Sequence, residues 1–220
     1  MPSISSLHVD TSGWQLKKQS DTRRVWINRA RDVLTLEFFP TATSLPTYLH
    51  DAAGWLQYYQ GRVQHEGGAV VSIDLLPLDG LDAVRALFKF RNPKLHRLSP
   101  LGMTYLGSWM LPRAHFSYII KVQCFEYGAT GTREAAVAVK QADGDVHSMT
   151  GEPPRIVSSA DEWLAELAKS PVTVTPSDDA KYDATFPLHP LTRARSYLRH
   201  IQQTAHIDND VRNSKPSFEE

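Results

Sequence analysis

Two glycines and an arginine stand where a predicted strand gives way to a predicted helix. The loop covers residues 128–134, and the helix pattern covers residues 135–140. Gly128 and Gly131 allow a ligand to approach the backbone closely, and the free N–H groups at the start of a helix attract anions. Arg133 adds a guanidinium that pairs well with a carboxylate or a phosphate. The loop therefore predicts a site for an anionic ligand or an acidic partner.

A simpler interpretation of the loop is a strand-to-helix turn in which Arg133 pairs with Glu126 or Glu134. The loop lacks the Gly-Lys-Ser or Gly-Lys-Thr ending of a P-loop and the third glycine of a dinucleotide-binding fingerprint. If the loop binds a ligand, His115 and Glu126 are the groups predicted to assist. Otherwise His115 and His189, at a strand entrance and before a helix, are predicted to cap backbone groups.

Other chemistry has little support in the residue pattern. No two of the nine histidines have the four-residue spacing of a His-Glu-x-x-His zinc site. The lone Cys124 lies in phase with the apolar face of its strand, which predicts a buried small side chain and no internal disulfide. No Gly-x-Ser-x-Gly elbow is present for nucleophilic catalysis. The sequence therefore predicts no metal, no cofactor and no catalytic residue.

A short basic run alternates with aromatic residues on one predicted strand. Arg85, Lys89 and Arg91 fall on the face opposite Phe88 and Phe90, so the rings are expected in the core and the cations in water. The chain carries 24 basic and 24 acidic residues, so no global field draws it to nucleic acid or a membrane. The predicted partner of this basic face is an acidic protein surface.

Four aromatic residues are candidates for a protein-binding surface. Trp55 and Tyr58 lie beside the apolar stripe of a predicted helix, and Trp109 and Phe125 lie on strands that helices partly cover. Exposed aromatic side chains often anchor interfaces. Packing of these rings on both sides is the alternative, because large aromatic residues are commonly mostly buried.

The elements that position these residues are strands of alternating pattern and amphipathic helices. A first meander and a second run of strands flank one long helix over 46–65, and further helices are predicted over 159–167 and from Pro190 onward. The predicted strands are 14–18, 24–28, 33–39, 69–76, 83–91, 103–111 and 116–127. The fold class predicted is α+β, with an antiparallel sheet of about six to seven strands packed by the long helix and C-terminal helices.

The chain divides into an N-terminal arm, one domain and a flexible tail. The arm covers residues 1–13, the α+β domain 14–206 and the tail 207–220. Within the domain, 14–140 is the core and 141–206 a C-terminal helical extension. The sequence has neither the basic and apolar start of a signal peptide nor an apolar run long enough to span a bilayer, which predicts a cytoplasmic protein.

The order of elements, an early meander, one helix, an antiparallel run and C-terminal helices, resembles the Mog1/PsbP-like superfamily, and two stretches of the core carry the resemblance. They are Leu-Gly-Met-Thr-Tyr-Leu-Gly-Ser-Trp over 101–109 and Phe-Ser-Tyr-Ile-Ile-Lys-Val-Gln-Cys over 116–124, followed by the loop 128–134. The similarity covers about residues 14–140. It implies an α+β fold and a role as a partner-binding protein, an accessory subunit or a secretion chaperone. It transfers no site residue, and the function of a fold must be argued from its site.

The sequence favours a non-enzymatic, cytosolic protein-binding module of the adaptor, secretion-chaperone or immunity type. Its basis is an aromatic-rich α+β core without a catalytic arrangement. The alternative is an anion-binding or small-ligand protein, or an enzyme, that uses the loop 128–134. The sequence leaves the partner's identity and the oligomeric state open.

Overall fold

The computed structural model describes residues 1–42, 45, 49–91, 102–127, 130–144 and 170–217. Three predictions fall partly or wholly outside these residues. They concern Gly128, the first turn of the helix predicted to begin at 46, and the helix predicted over 159–167. The described residues form an α+β fold, as predicted.

The main sheet has seven strands, and every neighbouring pair is antiparallel. In chain order they are β2 (Trp14–Gln19), β3 (Arg23–Asn28), β4 (Val33–Phe39), β5 (Gly68–Leu78), β6 (Leu81–Arg91), β7 (Met103–Pro112) and β8 (Ser117–Phe125). Their order across the sheet is β2-β3-β4-β8-β7-β6-β5. The two predicted meanders therefore join where β4 pairs with β8, and the predicted antiparallel sheet is confirmed.

Four helices are described: α1 (Ala52–His65), α2 (Thr132–Gly144), α3 (Pro190–Thr204) and α4 (Asn209–Arg212). The long helix α1 begins at Ala52 because Asp51 caps it, with Oδ1 accepting the amide hydrogen of Gly54 at 2.9 Å. The prediction that this helix begins at 46 placed its start too early. None of the helices in the described ranges has the length and apolar character needed to cross a membrane.

A different helix packs on each face of the sheet. On β7 and β8, buried residues alternate with partly exposed ones, as expected for strands with one dry side. Helix α3 lies on the dry side, where the indole N–H of Trp109 donates to the carbonyl of Leu198 at 3.1 Å. Helix α1 lies on the other side, where Trp55 and Val63 pack over β6.

The two chain ends pair with each other. Strand β1 (Leu7–His8) is antiparallel to β9 (His206–Ile207), and α4 follows β9 directly. Ile4, Leu7, Ile207 and Val211 are all buried in the main core. The prediction of a flexible tail from 207 is therefore corrected for residues 207–217, and the N-terminal arm belongs to the same packed body. Sequence periodicity misses such segments because a two-residue strand and a four-residue helix are too short to show it.

Candidate functional site

The glycine loop binds a carboxylate of the same chain, that of Glu126. Glu126 accepts the amide hydrogen of Gly131 on Oε1 at 2.9 Å and that of Met103 on Oε2 at 3.0 Å. Gly131 has φ +75°, a backbone conformation that favours glycine, so this residue type follows from the turn. The carboxylate of Glu126 thus occupies the position predicted for a ligand. Gly128 lies outside the described residues.

Arg133 is a fully buried structural residue. It is the second residue of α2, is 0% exposed, and donates to the carbonyls of Ser177 at 2.6 Å and Asp179 at 2.9 Å. Its Nη1 lies 2.9 Å from Oδ1 of Asp183. The predicted contact with a ligand or with Glu126 or Glu134 is corrected, because the segment 177–183 covers this side chain. No local sequence signal links residue 133 to residue 183.

The structure separates His115 from the rest of the predicted ligand site. His115 is exposed in the turn before β8, whereas Glu126 follows the last residue of that strand. Nine residues of strand span roughly 26 Å. His189 takes the place expected of His115, since its Nε2 lies 3.9 Å from Oε1 of Glu126. Its predicted capping role is confirmed, because Nδ1 accepts the amide hydrogen of Leu191 at 3.3 Å.

Lys89 does not face water, in contrast to the prediction. Its exposure is 4%, and its Nζ lies 2.5 Å from Oδ2 of Asp178, which is 3% exposed. The alternating pattern of the strand predicted the face of Lys89 correctly, but the segment that precedes α3 covers that face. Together with neighbouring charged and aromatic groups, this pair forms a buried polar cluster. Its members are Lys89, Tyr105, Glu126, Arg133, Glu134, Asp178 and His189.

Burial controls the protonation of the buried polar cluster. Desolvation raises the pKa of Glu126, and the nearby charge of Glu134 raises it further, while hydrogen bonds from Gly131 and Met103 oppose the shift. Desolvation also lowers the pKa of His189 to about 4, with Arg133 acting in the same direction. At neutral pH, His189 is therefore an uncharged imidazole.

Several atoms of the buried polar cluster have no hydrogen-bond partner within the described part of the chain. They are Oη of Tyr105, Oε2 of Glu134, Oδ1 of Asp178 and Nε2 of His189. Glu126, Glu134 and His189 also place one potential metal ligand each within 4.8 Å of the others. However, the cap that Nδ1 of His189 makes requires the proton to sit on Nε2. Nε2 then presents a proton rather than a lone pair, so the arrangement does not fit a metal ion.

Two clefts reach the buried polar cluster from different sides. One of about 370 Å³ lies between the β8 end and α3, and one of about 310 Å³ lies between β7 and the segment at 170–175. Glu126 lines both clefts, and Glu134 lines the second. These groups could accept hydrogen bonds from a small polar molecule or from water.

The predicted aromatic anchors divide into buried and accessible residues. Trp55 and Trp109 are both 0% exposed, so their assignment to a partner surface is corrected: one indole fills the space under α1 and the other the space under α3. Tyr58 is 39% exposed on α1, and Phe125 is partly exposed at the end of β8. The predicted basic residues Arg85 and Arg91 are partly exposed on the α3 side, opposite Phe125.

A large part of the sheet face beside α1 is partly exposed. Helix α1 covers β5 and β6, and none of the described helices packs over β3, β4 and β8 on that side. Aliphatic residues alternate there with an ion-pair stripe in which Glu37 contacts Lys121 at 2.5 Å and Arg23 at 3.4 Å. We call this surface the open sheet face. It comprises Arg23, Val25, Ile27, Val33, Glu37, Ile119, Lys121 and Phe125.

Comparison with known proteins finds similarity in structure only. No protein-family model matches the chain, and no curated protein matches it in sequence. The structure of Mog1p, a Ran-binding protein of Saccharomyces cerevisiae, is similar at 10% identity and a TM-score of 0.42, covering 90% of this chain and 88% of Mog1p. A point mutant of Mog1 gives the same identity and TM-score, with 90% and 89% covered.

A protein of Bacteroides thetaiotaomicron is similar over a smaller region. The identity is 11% and the TM-score 0.36, with 61% of this chain and 44% of the other covered. Mog1 is therefore among the structural neighbours of the chain.

Proposed function

We propose that this protein is a non-enzymatic protein-binding module and that its partner docks on the open sheet face. The supporting observation is that, among the described helices, α1 packs over only part of the sheet face on its side. On one face, α1 buries Val84 and Phe88 of β6, while Ile119 of β8 on the same face stays partly exposed. A sheet face of this kind is stable when a second layer covers it. A partner supplies that layer over β3, β4 and β8.

The chemistry of the open sheet face suits a protein interface. Val25, Ile27 and Val33 form an apolar patch across β3 and β4, and Ile119 is a further apolar residue opposite Glu37 on β8. The ion pairs of Glu37 with Arg23 and Lys121 lie beside Ile119. Interfaces commonly combine an apolar centre with charged groups whose pairing fixes orientation. The fitting partner element is an amphipathic helix laid parallel to the sheet beside α1, with apolar residues spaced at three and four positions.

The biological type proposed for this module is an adaptor, a secretion chaperone or an immunity protein that acts in the cytoplasm. Neither nucleic acid nor a membrane is proposed as a partner, because charges on the open sheet face are mixed in sign rather than basic. The other reading, a ligand site or enzyme at residues 128–134, loses its main support because Glu126 and Arg133 are engaged within the chain.

A comparison of three purified baits tests the proposed docking surface. Ile119→Arg places a cation on the open sheet face opposite Glu37, and its long side chain can reach water, so the fold is retained. Leu188→Arg is the matched control, because Leu188 is apolar and 81% exposed but lies outside the open sheet face. Each bait is incubated with lysate of the source cell, and retained proteins are quantified by mass spectrometry and then purified.

The proposal expects a partner that binds the wild type and Leu188→Arg with equal affinity and binds Ile119→Arg at least about tenfold more weakly, a loss of about 1.4 kcal/mol. Calorimetry with the purified partner measures its affinity for each of the three baits. A partner that binds all three baits equally would place docking elsewhere and refute the open sheet face as the site.

A further inference from the structure

A cleft on the α3 side of the sheet, opposite the open sheet face, carries an excess of positive charge. It encloses about 280 Å³ between β5, β6 and α3. We infer that this cleft binds a phosphate group. We call it the arginine cleft, and its charged lining residues are Asp74, Arg85, Arg195 and Arg199.

Among the described residues, the charged side chains that line the arginine cleft are three arginines and one carboxylate. Nε and Nη2 of Arg85 lie 3.1 and 3.0 Å from Oδ2 of Asp74, so this pair is balanced. Arg195 contacts Asp183 at 2.9 Å, but Asp183 also pairs with the buried Arg133 at 2.9 Å. One carboxylate therefore serves two arginines.

Arg199 adds a further charge to the cleft. It is exposed on α3, and within the described ranges no acidic side chain pairs with it. Among the described residues that line the cleft, three arginines, at 85, 195 and 199, accompany one carboxylate, at 74, which leaves an excess of two positive charges. A phosphate monoester or inorganic phosphate carries close to two negative charges at neutral pH and matches this excess.

The walls of the arginine cleft strengthen the attraction. Leu87 and Leu198 line it at 1% and 3% exposure, and apolar walls concentrate the field of nearby charges. The guanidinium of Arg85 lies 5.8 Å from the centre of the Trp109 ring, within the range of a cation–π contact, and its Nε and Nη2 are held by Asp74. An oriented guanidinium donates two parallel hydrogen bonds to phosphate oxygens, which a lysine does not.

Phosphate titration of charge variants tests the arginine cleft. Binding of inorganic phosphate is measured by calorimetry with sodium chloride keeping the ionic strength constant. We expect saturable binding to the wild type and about tenfold weaker binding to Arg199→Gln, the loss of one charge-assisted contact. Arg29→Gln is the matched control, because Arg29 is an exposed arginine in the β3–β4 turn and not part of the cleft lining. Its phosphate affinity should equal that of the wild type.

A second variant predicts a change in the opposite direction. Asp74→Asn removes the carboxylate that competes for Arg85, so phosphate should bind about threefold to tenfold more tightly. Phenyl phosphate is titrated in parallel: tighter binding than inorganic phosphate indicates a phosphorylated organic ligand, and equal binding indicates the free anion. Absence of saturable phosphate binding, equal weakening in Arg199→Gln and Arg29→Gln, or weaker binding in Asp74→Asn would each overturn the inference.

Discussion

At the scale of single residues, charged groups around the glycine loop bind each other rather than a ligand. Glu126 takes the amide hydrogens of Gly131 and Met103, and Arg133 is shared among Ser177, Asp179 and Asp183. Buried charged groups are tolerated when they are paired and hydrogen-bonded in this way. These residues therefore hold α2 and the segment before α3 on the end of the sheet.

Arg133→Gln tests the structural role of this arginine. The substitution leaves Asp183 with fewer partners and the carbonyls of Ser177 and Asp179 without their donor, so stability should fall by about 3–5 kcal/mol. Urea denaturation measures the change. The exposed control Arg29→Gln should change stability by less than about 0.5 kcal/mol. Equal stability of the wild type and Arg133→Gln would mean that Arg133 is not held as described.

The stability of the protein should depend on pH through His189. Its folded-state pKa of about 4 lies below its ordinary value of 6.5, so the unfolded chain binds the proton more readily. Stability from this group is complete above pH 6.5 and is lost as the pH falls from 6.5 toward 4, by about 3 kcal/mol in total.

His189→Asn isolates this contribution because asparagine caps a helix well and does not titrate. Urea denaturation of both proteins at several pH values gives the difference between their free energies of unfolding. The pH dependence contributed by Glu126 has the opposite sign, is present in both proteins and cancels in this difference. We expect the wild type to lose stability relative to His189→Asn between pH 6.5 and 4. A difference that stays constant over this interval would show that His189 is not buried in its neutral form.

The sequence could predict which residues near the loop are important but not what they contact. Arg133 and Glu126 stand out because a glycine turn follows a strand, and this is local information. Asp183 and Asp178, which pair with Arg133 and Lys89, lie in a segment rich in proline and acidic residues that reads as a surface connection. Long-range pairing of this kind leaves no periodic signal.

At the scale of elements, alternation predicted the strands and their faces well. Val33–Phe39 has its predicted bounds, and the predicted starts or ends of the other main-sheet strands differ from those observed by at most two residues. Arg85 and Lys89 share a face opposite Phe88, as the two-residue period requires. The pattern could not show which helix covers each face, because both faces of β6 carry apolar residues. Lys89 was misassigned to water because the segment before α3, which carries Asp178, covers its face, and no local signal on β6 indicates that contact.

Close contact between α3 and β7 depends on Gly107. A Cβ at this position would lie 2.8 Å from Cδ1 of Leu198 and 3.0 Å from Cγ2 of Val122. Gly107→Val should therefore push α3 away from the sheet and destabilise the protein by about 1–3 kcal/mol. Thermal or urea denaturation checks this.

A glycine on α1 provides the opposite case. Gly61 has no atom within 4 Å of a built Cβ, so Gly61→Ala should stabilise the protein by about 0.4–1 kcal/mol through the helix propensity of alanine and a less flexible unfolded chain.

If Gly107→Val were as stable as the wild type, α3 would not pack on β7 at this distance.

At the scale of the whole molecule, the two ends of the chain close the core. Ile207 and Val211 are both 0% exposed and pack in the same cluster as Leu7. Burying an aliphatic side chain contributes about 1.5–3 kcal/mol. A chain that ends at residue 206 should therefore lose about 3–6 kcal/mol of stability, whereas a chain that ends at residue 217 should be as stable as the full chain. Equal stability of the full chain and of both shortened chains would support the flexible tail that the sequence predicts.

The overall architecture was accessible from the sequence, and the proposed docking surface was accessible only in part. The predicted order of elements indicated an antiparallel α+β fold, because long strands with alternating apolar and polar residues are readily recognised in a sequence. The open sheet face depends on which half of a sheet a helix covers, and only Phe125 of its residues was predicted to bind a partner. The other predicted anchors proved to be core residues or to lie on α1 or the α3 side.

Site-specific photo-crosslinking in the source cell tests the central claim, that a protein partner docks on the open sheet face. A benzophenone amino acid replaces Ile119 in one variant and Leu188 in another, two apolar positions of which only the first lies on this face. The account predicts one discrete crosslinked protein adduct from position 119 and none of the same mass from position 188. Adducts from position 188 alone, or no adduct from position 119, would contradict it.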